Sequence, residues 1–337
     1  MPSPSNGSYF STNDTFAYQP VTATTVLFSF MIIIGAPGNI LLLLAIGRRQ
    51  PSRAPYFYML FSIALADLGM AMIAAPQRIM ENYTGWPFGS FMCNFLVSIQ
   101  ELFVSVSVVT HTTIALERYR TIQQPFNKRI NQKTSKFLVA FIWLGCYVSA
   151  ALPQAVILEL YKGPDGRVYC TPEFPSDEFR RVYEVYLVVL FITVPLVIQS
   201  WCYVNVFIVV YRELKRASEG NANRKDILKR IKQKIHVVKV LVCLVAVFQC
   251  CSIPRGVLML IREFEDDVAM ATNQVFLYAD AVCLFAYYVK HTVNPIILWS
   301  TSKEFRLCWR KLSYYNRHVE LHTHTDFNSF LLRMFFT

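Results

Sequence analysis

An apolar run over 95–122 ends in Leu116-Glu117-Arg118-Tyr119, which sets a carboxylate beside a guanidinium where hydrocarbon would be the solvent. Charge in a bilayer costs on the order of a few kcal/mol, so the pair must face other helices or water. Taken alone, it also matches a charge pair that snorkels to the interface. Further polar residues interrupt equally apolar runs: Asn39, Asp67, Ser107 and Asn294. A carboxylate at mid-membrane needs such partners. Pro195, Pro254 and Pro295 each remove a backbone hydrogen bond inside an apolar run, so they are expected as helix hinges. These residue types move charge and bend helices. No catalytic constellation and no zinc spacing accompanies them, so the chain does not read as an enzyme.

The elements that must position these groups are legible from composition. Hydrophobic residues make up 54% of the chain and charged residues 16%, well under the roughly one quarter of a soluble domain. Mean hydropathy is +0.34. Seven apolar segments approach the roughly 20 residues needed to cross a bilayer. They run near Val21–Ile46, Tyr56–Met80, Phe91–Ile122, Phe137–Leu158, Tyr183–Tyr211, Ile235–Ile261 and Thr272–Trp299. The expected fold class is an all-α membrane protein, a seven-helix transmembrane bundle. The tail 1–20 precedes a membrane domain 21–301. Residues 302–312 alternate Phe305, Leu307, Cys308 and Trp309 with Lys303, Arg306 and Arg310, which suits a short amphipathic interfacial helix touching membrane lipids. A tail, 313–337, follows.

Orientation follows from Lys and Arg in alternate loops. Arg48, Arg49 and Arg53, then Arg120, Lys128, Arg129 and Lys133, then the basic run from Arg212 to Lys234, mark the cytoplasmic side. The net charge of +11 is therefore a topology signal and not a sign of nucleic-acid binding. The N-terminus is expected outside, in a multi-pass plasma-membrane protein. Asn6, Asn13 and Asn82 begin glycosylation acceptor triplets, all on that side. Most cysteines lie in apolar helices, but Cys93 and Cys170 fall at the oxidising outer surface and are expected to form a disulfide.

Taken helix by helix, the set Gly38-Asn39, Leu65-Ala66-Asp67-Leu68, Ser107, Glu117-Arg118-Tyr119, Trp143, Pro153, Pro195, Tyr203, Phe248, Pro254 and Asn294-Pro295 resembles the rhodopsin-like (class A) G-protein-coupled receptors over nearly the whole chain. The resemblance implies a receptor that activates a heterotrimeric G protein, with arrestin and receptor kinases as further partners. It assigns Glu117, Arg118, Tyr119 and Tyr203 to the G-protein switch. It implies a sodium ion near Asp67 and Ser107, within the polar core that Asn39 and Asn294 complete, and no other cofactor. Cys308 would be a palmitoylation site. The chain departs from the family where Ser252 replaces the usual Trp of helix six and Leu298 the usual Tyr of helix seven. Those departures are compatible with an atypical receptor of raised basal activity.

The ligand reading also rests on resemblance. Gln100 stands where amine receptors carry an Asp, and Tyr288 where opsins carry the retinal Lys, with Lys290 out of register. Gln100, Ser105-Val106-Ser107-Val108 and Trp86-Pro87-Phe88 look like the neuropeptide branch, nearest to receptors for RFamide peptides, neuropeptide Y, orexin and cholecystokinin. The implied ligand is an extracellular neuropeptide, cationic and amidated at its C-terminus. Glu263 would pair with its arginine, and Glu101, Glu184 and Asp280 would complete an acidic mouth. Arg78, Arg255 and Arg262 could instead hold a carboxylate. A small-molecule or lipid ligand is the alternative.

Overall fold

The structure, a computed structural model, describes residues 21–48, 56–124, 130–219, 224–264 and 274–301. Asn6, Asn13, the 302–312 segment with Cys308 and the tail 313–337 lie outside the described residues. Seven helices are long and apolar enough to cross a membrane. They are α1 (Thr24–Gly47), α2 (Tyr56–Thr84), α3 (Gly89–Gln123), α4 (Gln132–Ile157), α5 (Asp177–Lys215), α6 (Val238–Phe264) and α7 (Tyr278–Ser300). Lipid-facing positions must be apolar and lipid supplies no hydrogen bonds, so a helix that satisfies its own backbone is the stable form for such a run.

Proline writes a second pattern into the bundle. Ala36, Ala75, Leu152 and Val194 each donate their backbone N–H five residues back, to Met31, Met70, Tyr147 and Val189. Each is followed at once by a proline: Pro37, Pro76, Pro153 and Pro195. The ring clashes with the carbonyl four residues before it, and one wide turn relieves that clash. Pro195 thus follows a local widening of α5, whereas Pro254 and Pro295 lie within continuous helices.

Small residues let α2 approach its neighbour. A Cβ on Gly69 would stand 2.4 Å from the Phe103 ring of α3. Trp143 of α4 donates to the Ser62 hydroxyl of α2 at 3.0 Å, which ties that pair from the other side.

The all-α expectation needs one addition. Between α4 and α5 the chain forms an antiparallel hairpin, β1 (Leu158–Lys162) with β2 (Val168–Pro172), in which Leu160 faces Cys170. Leu158, expected to end a helix, begins this strand. The Cys93–Cys170 disulfide pins β2 to the start of α3. Gly85, with φ of 73°, turns the end of α2 so closely against the hairpin that a Cβ would lie 2.6 Å from the Val168 carbonyl. Trp86 then donates its backbone N–H to that carbonyl. Trp86, Cys93, Val97, Leu158 and Cys170 bury one another in a small cluster that caps this end of the bundle.

Candidate functional site

At the hairpin end, the charged side chains form three groups of contacts that together involve five helices. Glu81 of α2 accepts the Cys170 backbone N–H at 3.2 Å with one oxygen and pairs with Arg78 at 3.0 Å through the other. Arg78 also donates to the Gln100 carbonyl oxygen at 3.1 Å, and the Gln100 amide nitrogen donates to the Tyr288 hydroxyl at 2.7 Å. Gln100 therefore joins α2, α3 and α7 with both ends of its amide. On the other side of the opening, Arg180 of α5 pairs with Glu263 of α6 at 3.4 Å. Arg255 and Arg262 of α6 both pair with Asp280 of α7, the second at 3.1 Å.

Glu263, expected to pair with a ligand arginine, is buried against Arg180, a residue that sequence reasoning does not single out. A signal existed, because Arg180 and Glu184 are spaced i,i+4 and share a helix face. Asp280 likewise serves Arg255 and Arg262 rather than an open mouth. Arg78, Arg255 and Arg262, the possible carboxylate binders, are each held by an acid of the chain itself. Among the described acids of this end that are not exposed, Glu101 and Glu184 enter no ion pair, and one Glu184 oxygen is buried with no hydrogen-bond partner among the described residues.

Asn82, an expected glycosylation acceptor, is among the described residues. It lies in the last turn of α2, and its amide nitrogen, where a glycan would attach, donates to Thr24 of α1 at 2.9 Å.

Half-way down the bundle, Asp67 is fully enclosed. Its Oδ1 accepts from the Ser107 hydroxyl at 3.3 Å and from His291 Nδ1 at 2.7 Å, and its Oδ2 accepts from the Asn294 amide at 2.6 Å. Asn39 braces the cluster by donating to the carbonyls of Gly35 and His291, at 3.0 and 3.3 Å. The four residues expected in the polar core are thus brought together, with His291 added. Beside them Lys290 donates to the Ser252 hydroxyl at 3.0 Å and lies 3.5 Å from the Tyr287 ring centroid and 4.4 Å from that of Phe248. His111 completes the layer, its ring 4.9 Å from that of Phe248. Sequence reasoning places Lys290 only as out of register for a retinal lysine and does not single out His291, although both interrupt an apolar helix within five residues of Asn294.

A sodium ion would need hard oxygen ligands with room to converge. Here both Asp67 oxygens accept hydrogen bonds, and the same layer already holds the Lys290 ammonium. With that ammonium in place the residues do not fit the ion.

A buried polar relay also joins three helices. Gln249 of α6 donates to Gln199 of α5 at 2.8 Å, and Gln199 donates to the Thr112 hydroxyl of α3 at 2.7 Å.

At the opposite end, Arg118 pairs with its neighbour Glu117 at 3.3 Å and lies over the Tyr56 ring at 4.6 Å. Thr121 holds the other Glu117 oxygen at 3.0 Å. Tyr119 packs on Trp201 with ring centroids 4.6 Å apart. Tyr203 is buried and its hydroxyl has no partner. It borders a small apolar cavity with His111, Leu244, Asn294 and Leu298. Leu298, lacking a hydroxyl, cannot supply that partner.

A family model described as 7 transmembrane receptor (rhodopsin family) matches residues 38–298. Among known proteins, the chain is 24% identical over 306 residues to neuropeptide FF receptor 2 of Rattus norvegicus, covering 86% of this chain and 73% of the relative. It is 27% identical over 299 residues to neuromedin-U receptor 2 of Mus musculus, covering 86% and 74%. It is 24% identical over 317 residues to neuropeptide Y receptor type 1 of Xenopus laevis, covering 91% and 84%.

Proposed function

The chain belongs to the rhodopsin family of seven-transmembrane receptors, and from that premise we propose that it binds a cationic neuropeptide at its hairpin end, facing outward, and activates a heterotrimeric G protein at its Arg118 end. The relatives named for neuropeptide FF, neuromedin U and neuropeptide Y support a peptide ligand. The observation that carries the charge of that ligand is the accounting of acids and arginines at the hairpin end. Arg78, Arg180, Arg255 and Arg262 are all matched within the protein, whereas Glu101 and Glu184 enter no ion pair. A half-buried carboxylate oxygen without a partner is costly, and a ligand guanidinium or ammonium removes that cost. The matched arginines, in turn, offer little to an anionic ligand.

The cation site therefore moves from Glu263 to Glu184 and Glu101. The peptide enters over the hairpin, which the disulfide fixes, and its basic group descends between α3 and α5. Its arrival would change the field on Arg255 and Arg262, the arginines that link α6 to α7 through Asp280. That gives the ligand a physical route to the helix that must move for a G protein to bind. Arrestin and receptor kinases would recognise the same activated inner face.

The test is a screen of amidated, arginine-bearing peptides on cells expressing the chain, read by calcium and cyclic AMP. For an active peptide, Glu184→Gln and Glu101→Gln should each lower potency at least about tenfold, equivalent to about 1.4 kcal/mol. Replacing the peptide's arginine with citrulline should lower potency on the wild type and have little further effect on Glu184→Gln. Equal potency of the citrulline peptide on the wild type would refute the cation site.

A further inference from the structure

We infer that the ammonium of Lys290 is a built-in cation of the polar core, standing where a mobile cation would otherwise be drawn to Asp67, so that the resting bundle does not respond to sodium. Lys290 is 1% exposed and ranks among the largest fully buried side chains of the protein. An unpaired ammonium in such a place is strongly unfavourable, so its surroundings must compensate it.

Two kinds of compensation are present. The Ser252 hydroxyl accepts one N–H at 3.0 Å, and that hydroxyl donates in turn to the Phe248 carbonyl at 2.8 Å. The faces of Tyr287 and Phe248 take the ammonium at 3.5 and 4.4 Å, within the range where a ring quadrupole attracts a cation.

Two oddities of the sequence become one device. Ser252 stands where a large indole is usual in the family, and Lys290 one turn from Asn294 is the residue that uses the space and the hydroxyl. The consequence for a free ion is electrostatic. Lys290 is the neighbour along the helix of His291, whose Nδ1 lies 2.7 Å from Asp67 Oδ1. Sodium approaching Asp67 would therefore meet the Lys290 charge in a medium of low dielectric, where like charges repel far more than in water. The same ammonium bridges α6 and α7 at this depth, so it fills the mechanical place of an ion that holds the resting helices together. This inference does not depend on the ligand.

The experiment uses the full chain purified in detergent. Its thermal unfolding midpoint is followed while sodium chloride replaces N-methyl-D-glucamine chloride at a constant ionic strength of about 0.15 M. The wild-type midpoint should stay within about 1 °C. Lys290→Met, which keeps length and removes charge, should acquire a saturable sodium-dependent rise of at least about 2 °C, as expected for an ion at several times its dissociation constant. Lys290→Arg, which keeps the charge, should behave as the wild type. Lys290→Gln serves the same purpose as Lys290→Met if the latter does not purify. Sodium stabilisation of the wild type by about 2 °C or more overturns the inference, and so does a neutral variant that gains no sodium response.

Discussion

The two ends of the bundle hold their charges in opposite ways. At the hairpin end, besides the Arg78–Glu81 pair within α2, ion pairs run between different helices: Arg180 of α5 to Glu263 of α6, and Arg255 and Arg262 of α6 to Asp280 of α7. A disulfide and the Glu81 contact to Cys170 add the hairpin to the same assembly. At the other end the charges pair within one helix, Glu117 with Arg118, and no ion pair among the described residues joins α3 to α6 there. A pair between neighbours on one helix costs nothing to keep when helices separate. The bundle is therefore stapled where a ligand would enter and releasable where a G protein would insert. A two-state element needs a fixed part and a moving part, and the charge pattern distributes those roles.

The comparison can be broken most severely at Arg118. On the proposal that the releasable end carries the signal, Arg118→Ala should reduce G-protein nucleotide exchange to background while surface expression persists. Full exchange in that variant would remove the signalling role of this end. Next in size is the staple itself. Cys93→Ala opens a cross-link spanning 77 residues of sequence, and the lost chain constraint corresponds to about 4 kcal/mol, read as a collapse of surface expression and thermal stability. Asp280→Ala leaves Arg255 and Arg262 without their shared carboxylate. Removing one partner of a buried ion pair costs about 3 kcal/mol or more, so the thermal midpoint should fall by several degrees, whereas Glu117→Gln should barely move it.

Glu117→Gln sharpens the comparison from the other side. It should release Arg118 from its only ion-pair partner among the described residues and raise basal nucleotide exchange about fivefold, for a shift of about 1 kcal/mol in the resting equilibrium. The smallest effect belongs to the hairpin tip. The Tyr169 hydroxyl and the Arg167 backbone N–H hold the exposed Asp165 carboxyl below its usual range. A depressed carboxyl stabilises the fold above the usual carboxylate range and loses that contribution as pH falls through its lowered value. Because Asp165 is exposed, acid titration of Asp165→Asn and wild type should give nearly superimposable unfolding curves, with any small wild-type advantage lying above the usual carboxylate range and vanishing at the acid end.

Much of this was legible in the sequence, and the limits have a physical cause. Lipid demands apolar surfaces, so the seven helices and their order follow from hydropathy. Asp67, Ser107, Asn39 and Asn294 are recognisable because a buried carboxylate needs partners, and the structure joins them. What hydropathy cannot convey is which charges meet across helices. Glu263 reads as a ligand site until Arg180 is seen against it. Arg255 and Arg262 read as anion binders until Asp280 is found between them. The relay of Thr112, Gln199 and Gln249 lies on three helices with no common spacing in the chain. The hairpin hid in strands of five residues each, too short to show an alternation among aromatic and charged neighbours.

The central claim is that the hairpin end stays closed while the Arg118 end opens. It is tested most directly by distances between spin labels carried on non-natural amino acids, measured in the purified receptor before and after addition of nucleotide-free heterotrimeric G protein. One pair, at Phe264 of α6 and Tyr278 of α7, reports the stapled end, and both positions are exposed. A second pair, at Lys239 of α6 and Arg120 of α3, reports the releasable end, and both are exposed there. The account predicts an unchanged distance at the first pair and a lengthening of several ångströms at the second. Separation at the Phe264–Tyr278 pair as large as that at Lys239–Arg120, or no lengthening at the latter with G protein bound, would contradict it.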